Sequence, residues 1–184
     1  MKNSAPSDTR RDTENLQKGF SLIELLIVVA IILIIAAIAI PSMLKSRMAA
    51  NQAAAVSNIR TITSASVSYW VTYSNGYPPT LTALGGTNGA AATCISAILI
   101  DPVLATTSQK SGYQFAYSGQ EGNVVTTSCA SPGFNGYLVT AAPITAGLTG
   151  NLSFCTSEPG IIHYDPTGST ASNEAVCSVL PTLQ

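Results

Sequence analysis

Four cysteines, one histidine and one carboxylate inside an apolar run are the residues of this sequence whose chemistry stands out. The cysteines are Cys94, Cys129, Cys155 and Cys177, and none forms a C-x-x-C pair. With a single histidine available, zinc ligation is a poor reading of them, and an even count of scattered cysteines suits two disulfides in an oxidising compartment. Four cysteines allow three pairings, of which we favour the sequential one, Cys94–Cys129 and Cys155–Cys177. His163 lies in a β-prone run, Ile161-Ile162-His163-Tyr164, and reads as an ordinary sheet histidine. Catalysis would need a nucleophile and an orienting acid beside it, and cysteines held as disulfides leave no thiol. Glu158, Asp165 and Glu174 are too widely spaced for the six or more oxygens that calcium takes. No G-x-S-x-G, P-loop or H-E-x-x-H motif occurs, so we expect neither an enzyme nor a bound cofactor or metal.

Glu24 is different, because Phe20 to Ile40 is an apolar run of 21 residues in which it is the one charge. A carboxylate there costs about 2.5–3.5 kcal/mol on insertion scales, which makes it functional by default. As a helix the segment spans roughly 30 Å, enough to cross the hydrocarbon core of a bilayer. Residues 1–19 lack an apolar core of their own and so do not read as an ordinary secretory signal. Signal-peptidase cleavage would have to fall near Ala36-Ala37-Ile38-Ala39; cleavage ahead of the segment, which retains it, is the better reading. Lys/Arg counts on the two sides set orientation only weakly. The cysteines decide it, because disulfides need the oxidising side, and the N-terminus is therefore cytoplasmic.

The elements that position these residues follow from periodicity. Pro41 ends the apolar run but not the helix, which it is expected to kink. Met48, Val56, Ile59, Ile62, Tyr69 and Tyr73 recur at helical spacing, and Asn75-Gly76 with Pro78-Pro79 is the stop signal. One helix is thus expected from Phe20 to Tyr73, roughly 80 Å long, with only its second half amphipathic. Tyr69, Trp70 and Tyr73 read as core of a head domain. Residues 75–110 read as loop with a short helix near 92–99. Strands are expected at 113–117, at 136–144 and twice within 152–164, joined at Glu158-Pro159-Gly160; residues 166–184 read as loop. The fold class is α+β: a long N-terminal helix packed on a small antiparallel sheet with two disulfides.

Composition narrows the function further. Charged residues are 9% of the 184, against about a quarter in ordinary soluble proteins, and mean hydropathy is +0.32. Disorder is excluded by that hydropathy, and a nucleic-acid partner by a net charge of −1 without a basic patch. A body so poor in charge suits a subunit that packs against copies of itself.

Lys18-Gly19-Phe20-Ser21-Leu22-Ile23-Glu24, the apolar run and Pro41 together resemble the N-terminal region of type IV pilins and type II secretion pseudopilins. The resemblance covers about Lys18 to Tyr73. It implies that residues 1–19 are a leader removed by prepilin peptidase between Gly19 and Phe20, and that Phe20 is then N-methylated. It further implies that 20–40 is the transmembrane and polymerisation helix, 41–74 its amphipathic half and 75–184 the disulfide-containing head. Glu24 would pair with the new amine of Phe20, in its own subunit or a neighbour's, and so set the register of assembly. The protein would wait in a bacterial inner membrane, then be assembled by the pilus or type II secretion machinery into a helical homopolymer. That filament would be a surface pilus or a periplasmic pseudopilus. The implied function is a structural pilus subunit. A minor pilin or pseudopilin is the alternative, and a membrane-anchored binding protein that never polymerises is a second. Asn151-Leu152-Ser153 matches a glycosylation sequon and carries little weight.

Overall fold

The computed structural model describes residues 19–87, 89–124, 129 and 131–183. The leader expected at 1–19 therefore lies outside the described residues except for Gly19. The chain divides into two compact units, Met1–Pro41 and Ser42–Gln184. Helix α1, Leu22–Tyr73, contributes to both and contains Pro41. In the first unit α1 offers its side chains to solvent: Phe20 is 84% exposed, and the leucines, isoleucines and valines from Leu22 to Ile40 are exposed along the whole run.

The second unit is the α+β head. Four short elements precede the main strands or join them: α2 Leu81–Leu84, α3 Pro102–Thr107 and the two-residue strand β1 Gln109–Lys110, with α4 Glu174–Ser178 near the end. The sheet is β1, then β2 Tyr113–Gln120, β3 Gly136–Pro143, β4 Ser153–Ser157 and β5 Ile162–Asp165. It is an antiparallel meander in chain order, with Tyr117 opposite Val139, Thr140 opposite Cys155 and Cys155 opposite His163. The connections from β1 to β2 and from β4 to β5 are short enough to require antiparallel pairing.

Period 3.6 in α1 meets period 2 in the strands at one core. Ala55, Ile59, Ile62, Ala65 and Tyr69 present one helical face, and Tyr113, Phe115, Tyr137, Val139, Ala141 and Phe154 present one sheet face. Ser66 sits inside this contact and returns its hydroxyl to the Ile62 carbonyl at 2.8 Å. On the opposite sheet face Leu138 and Cys155 pack with Ala171, Cys177 and Leu180. β4 is consequently buried at every residue, and β3 from Gly136 to Ala141. The C-terminal segment also closes the β5 edge: Tyr164 N donates to Pro181 O at 2.9 Å and Leu183 N to Ile162 O at 2.8 Å.

Several local expectations are corrected. Residues 92–99 form no helix; a Thr93–Ser96 bridge stands there instead, and Ala97, Ile98 and Leu99 give their N–H groups to the carbonyls of Ala83, Gly85 and Leu84 rather than to a helix of their own. The neighbouring segments carry α2 and α3. Helix α3 is started by Asp101, whose carboxylate accepts from Val103 N at 2.7 Å, with Pro102 in the first turn. The stretch 166–184 holds α4, capped by Asn173 accepting from Val176 N at 2.9 Å. Trp70 is 44% exposed rather than core, although its ring meets Tyr77 edge-on at 4.8 Å.

The disulfides join Cys94 to Cys129 and Cys155 to Cys177, with Cα separations of 5.9 and 6.0 Å. The second ties α4 to β4 and so holds the cover over the back of the sheet. Its loop of 22 residues is worth about 3 kcal/mol in the chain-entropy picture. Replacing both Cys155 and Cys177 by serine should lower the head's unfolding free energy by about that amount. Denaturant titration of the detergent-solubilised chain reads it, and an unchanged midpoint would refute it.

Tyrosines dominate the core and give it a pH limit. Burial raises the Tyr113 hydroxyl to about 12 while it donates to Leu152 O at 2.8 Å. Burial likewise raises Tyr69, Tyr117 and Tyr137 above the ordinary tyrosine value. Tyr77 is raised by burial and then by its hydrogen bond to the Glu158 carboxylate. A folded-state pKa above the unfolded one means that the native state holds more protons between the two values. Stability is then intact below about pH 10 and is lost as pH rises from about 10 toward 12. Unfolding midpoints measured from pH 8 to 12 should be level and then fall; a fall beginning well below pH 10 would contradict this origin.

Candidate processing and assembly site

The residues singled out at the N-terminal helix lie next to one another along the chain. Gly19 and Phe20 precede α1, and Ser21 stands at its N-cap position, since the Ser21 carbonyl accepts from Leu25 N at 3.2 Å. Glu24 is then the third helical residue and an acid in the first turn, where the exposed backbone N–H groups favour negative charge. Ser21 and Glu24 have the S-x-x-E spacing of a capping box.

Gly19 is informative for what surrounds it. A Cβ placed there would meet nothing within 4 Å, and its backbone is not in the left-handed region that calls for glycine. Elsewhere the fold does need the missing side chain: at Gly133 a Cβ would fall 1.5 Å from the Asn75 carbonyl oxygen. Among the described residues, nothing in the packing demands glycine at position 19.

Helix α1 is long and apolar enough to cross a membrane, with a mean hydropathy of 3.3 over its most apolar 18 residues and no burial of that window inside the chain. Glu24 is the one acid on α1. Pro41 has no N–H for the carbonyl of Ala37, so the helix lacks one rung of its ladder there. Cys94, Cys129, Cys155 and Cys177 lie in the head, well separated in sequence from Gly19, Phe20 and Glu24. His163 is half-buried on β5 with Nδ1 2.7 Å from the Leu180 carbonyl oxygen, a contact that fastens the C-terminal segment. Among the described residues no group of three or more His, Cys, Asp or Glu could hold a metal ion.

Residues 15–40 match the family model described as the prokaryotic N-terminal methylation motif, the signature of type IV pilins and pseudopilins. Neither curated proteins nor solved structures yield a match to the chain.

Proposed function

We propose, from the type IV pilin and pseudopilin signature that this chain carries, that it is the structural subunit of a type IV pilus. The signature implies processing by prepilin peptidase and assembly by pilus machinery, and with the apolar helix it supports anchoring in a membrane. In this reading the peptidase cuts between Gly19 and Phe20 and methylates the new amine of Phe20. The observation that carries the reading is the first half of α1: an exposed apolar helix with a single carboxylate, Glu24, four residues from the cut. On this reading the glycine at 19 serves the peptidase, since no described atom lies within 4 Å of a Cβ placed there.

Each part then has a physical task. Membrane lipid covers the apolar helix before assembly, and neighbouring helices cover it afterwards. Glu24 pairs with the Phe20 amine; a helix added at the wrong height leaves a buried charge alone, which makes the pair a register device. Pro41 loosens the helix where one hydrogen bond is absent. The chain performs no catalysis, and its partners are copies of itself, the peptidase and the inner-membrane assembly machinery. The filament is a surface pilus. Fractionation tests this role: shearing cells should release the processed chain in abundance. The same processed chain retained wholly in the membrane and periplasm would replace the pilus subunit by a pseudopilin or minor pilin.

A further inference from the structure

One buried tyrosine has a partner that the others lack. Tyr77, 4% exposed, gives its hydroxyl to the carboxylate of Glu158, the residue that follows β4. Tyr69 and Tyr113 give theirs to the backbone carbonyls of Cys94 and Leu152, each at 2.8 Å. Among the described residues no other tyrosine hydroxyl is bonded to a carboxylate. The distinction is chemical, because a tyrosine stripped of one electron is a strong acid. Its oxidation is favourable only where a base takes the proton, and a carboxylate is such a base while a peptide carbonyl is not.

Tyr77 is also connected to the surface by ring contacts. Its ring stands 4.8 Å from Trp70 and 4.8 Å from Tyr137, edge-on in both cases, and Tyr137 stacks in turn on Tyr117 at 6.0 Å. Trp70 is the one tryptophan of the chain and is 44% exposed. Packing accounts for the edge-on rings. It does not call for a carboxylate on the hydroxyl, since a backbone carbonyl satisfies Tyr69 and Tyr113.

We propose that Tyr77 is a redox-active tyrosine, which takes over the electron hole that a one-electron oxidant leaves on Trp70 and passes its own proton to Glu158. In the first step the oxidant, a peroxyl radical or a high-valent metal complex, gains one electron and Trp70 becomes a radical cation. In the second, an electron crosses from Tyr77 to Trp70 while the Tyr77 hydroxyl proton moves along the hydrogen bond to Glu158. Trp70 is restored, and a neutral Tyr77 radical stands beside a protonated Glu158. A one-electron donor such as ascorbate closes the cycle: its electron goes to Tyr77, and Glu158 returns the proton. The direction follows from the proton, because a tyrosine that sheds it together with the electron is easier to oxidise than the indole. The hole also stops there, since Tyr137 and Tyr117 have no carboxylate to deprotonate them. The exposed indole is spared the oxygen addition that destroys it, and the radical is held where solvent has little access. None of this depends on whether the chain polymerises.

Flash photolysis of the detergent-solubilised full-length chain tests the assignment, with photogenerated ruthenium(III) tris-bipyridine as oxidant and optical and paramagnetic-resonance spectra as readout. The wild-type chain should show a tryptophan radical that decays as a neutral tyrosyl radical rises. Tyr77→Phe should abolish most of the tyrosyl yield and prolong the tryptophan radical. Glu158→Gln keeps an acceptor for the hydroxyl but takes no proton, so the yield should fall roughly tenfold or more and become dependent on pH and buffer base. A carboxylate that merely packs would leave no such signature. Trp70→Phe should slow the formation of the tyrosyl radical. Oxidised disulfides in each variant would certify the fold. A wild-type tyrosyl yield from Tyr77→Phe would place the radical on another tyrosine and overturn the assignment, and so would a Glu158→Gln chain that behaves as wild type. Undiminished speed in Trp70→Phe would overturn the entry of the hole through the indole.

Discussion

Replacing Glu24 by Ala is expected to leave the chain cleaved and held in the membrane while filament yield falls by roughly two to three powers of ten. Cutting after Gly19 creates a cation on Phe20, and in a packed bundle of apolar helices that amine needs an anion. Removing one partner of a buried ion pair costs about 3–5 kcal/mol, because the other charge stays desolvated and alone. At about 1.4 kcal/mol per tenfold, that is the stated loss for each subunit added. Glu24→Gln should recover part of the yield, since an amide oxygen still accepts from the amine but carries no charge. The capping-box spacing of Ser21 and Glu24 offers a competing account, in which the residue merely starts the helix. That account predicts a loss of about 1 kcal/mol and a mild phenotype. Sheared-fraction yield, normalised to processed chain in the membrane, separates the two; wild-type yield from Glu24→Ala would remove the register device altogether.

The second large effect is expected at Gly19. Substitution by Val should reduce processing from complete to trace, so that the chain keeps its leader and accumulates in the membrane. The described residues give no reason for such an outcome, because a side chain at 19 would meet none of them within 4 Å. The whole effect must therefore arise where an external active site closes around an extended backbone and a Cβ collides with it. Head stability should be unchanged, which distinguishes this failure from misfolding. Immunoblotting for the longer chain, with and without co-expressed prepilin peptidase, is the check. Normal cleavage of Gly19→Val would mean that the glycine is not what the peptidase reads.

What the sequence made legible was whatever carries a long, regular signal. Helix α1 was readable because the helical pattern resumes after Pro41 and meets no further breaker before Asn75-Gly76, and Ile59, Ile62 and Tyr69 mark the buried face at the spacing observed. The strands at Tyr113, Gly136, Ser153 and Ile162 stood out by β-prone composition between turn residues. Short elements did not. A four-residue helix such as α2 has no period to detect, and α3 and α4 announce themselves only through Asp101-Pro102 and Asn173. Burial of both faces of β4 was invisible, since Ser153, Thr156 and Ser157 look like surface residues until α4 is placed behind them. At the N-terminal helix, Gly19, Phe20 and Glu24 were legible because they lie within six residues of one another.

The central claim is that the chain is cut at one bond and then enters a filament through the helix that the cut exposes. N-terminal and intact-mass analysis of material sheared from cells tests both halves at once. The account predicts an abundant chain beginning at methylated Phe20, with all four cysteines oxidised. A chain still beginning at Met1, in cells whose prepilin peptidase is active, would contradict it and leave only a membrane-anchored protein.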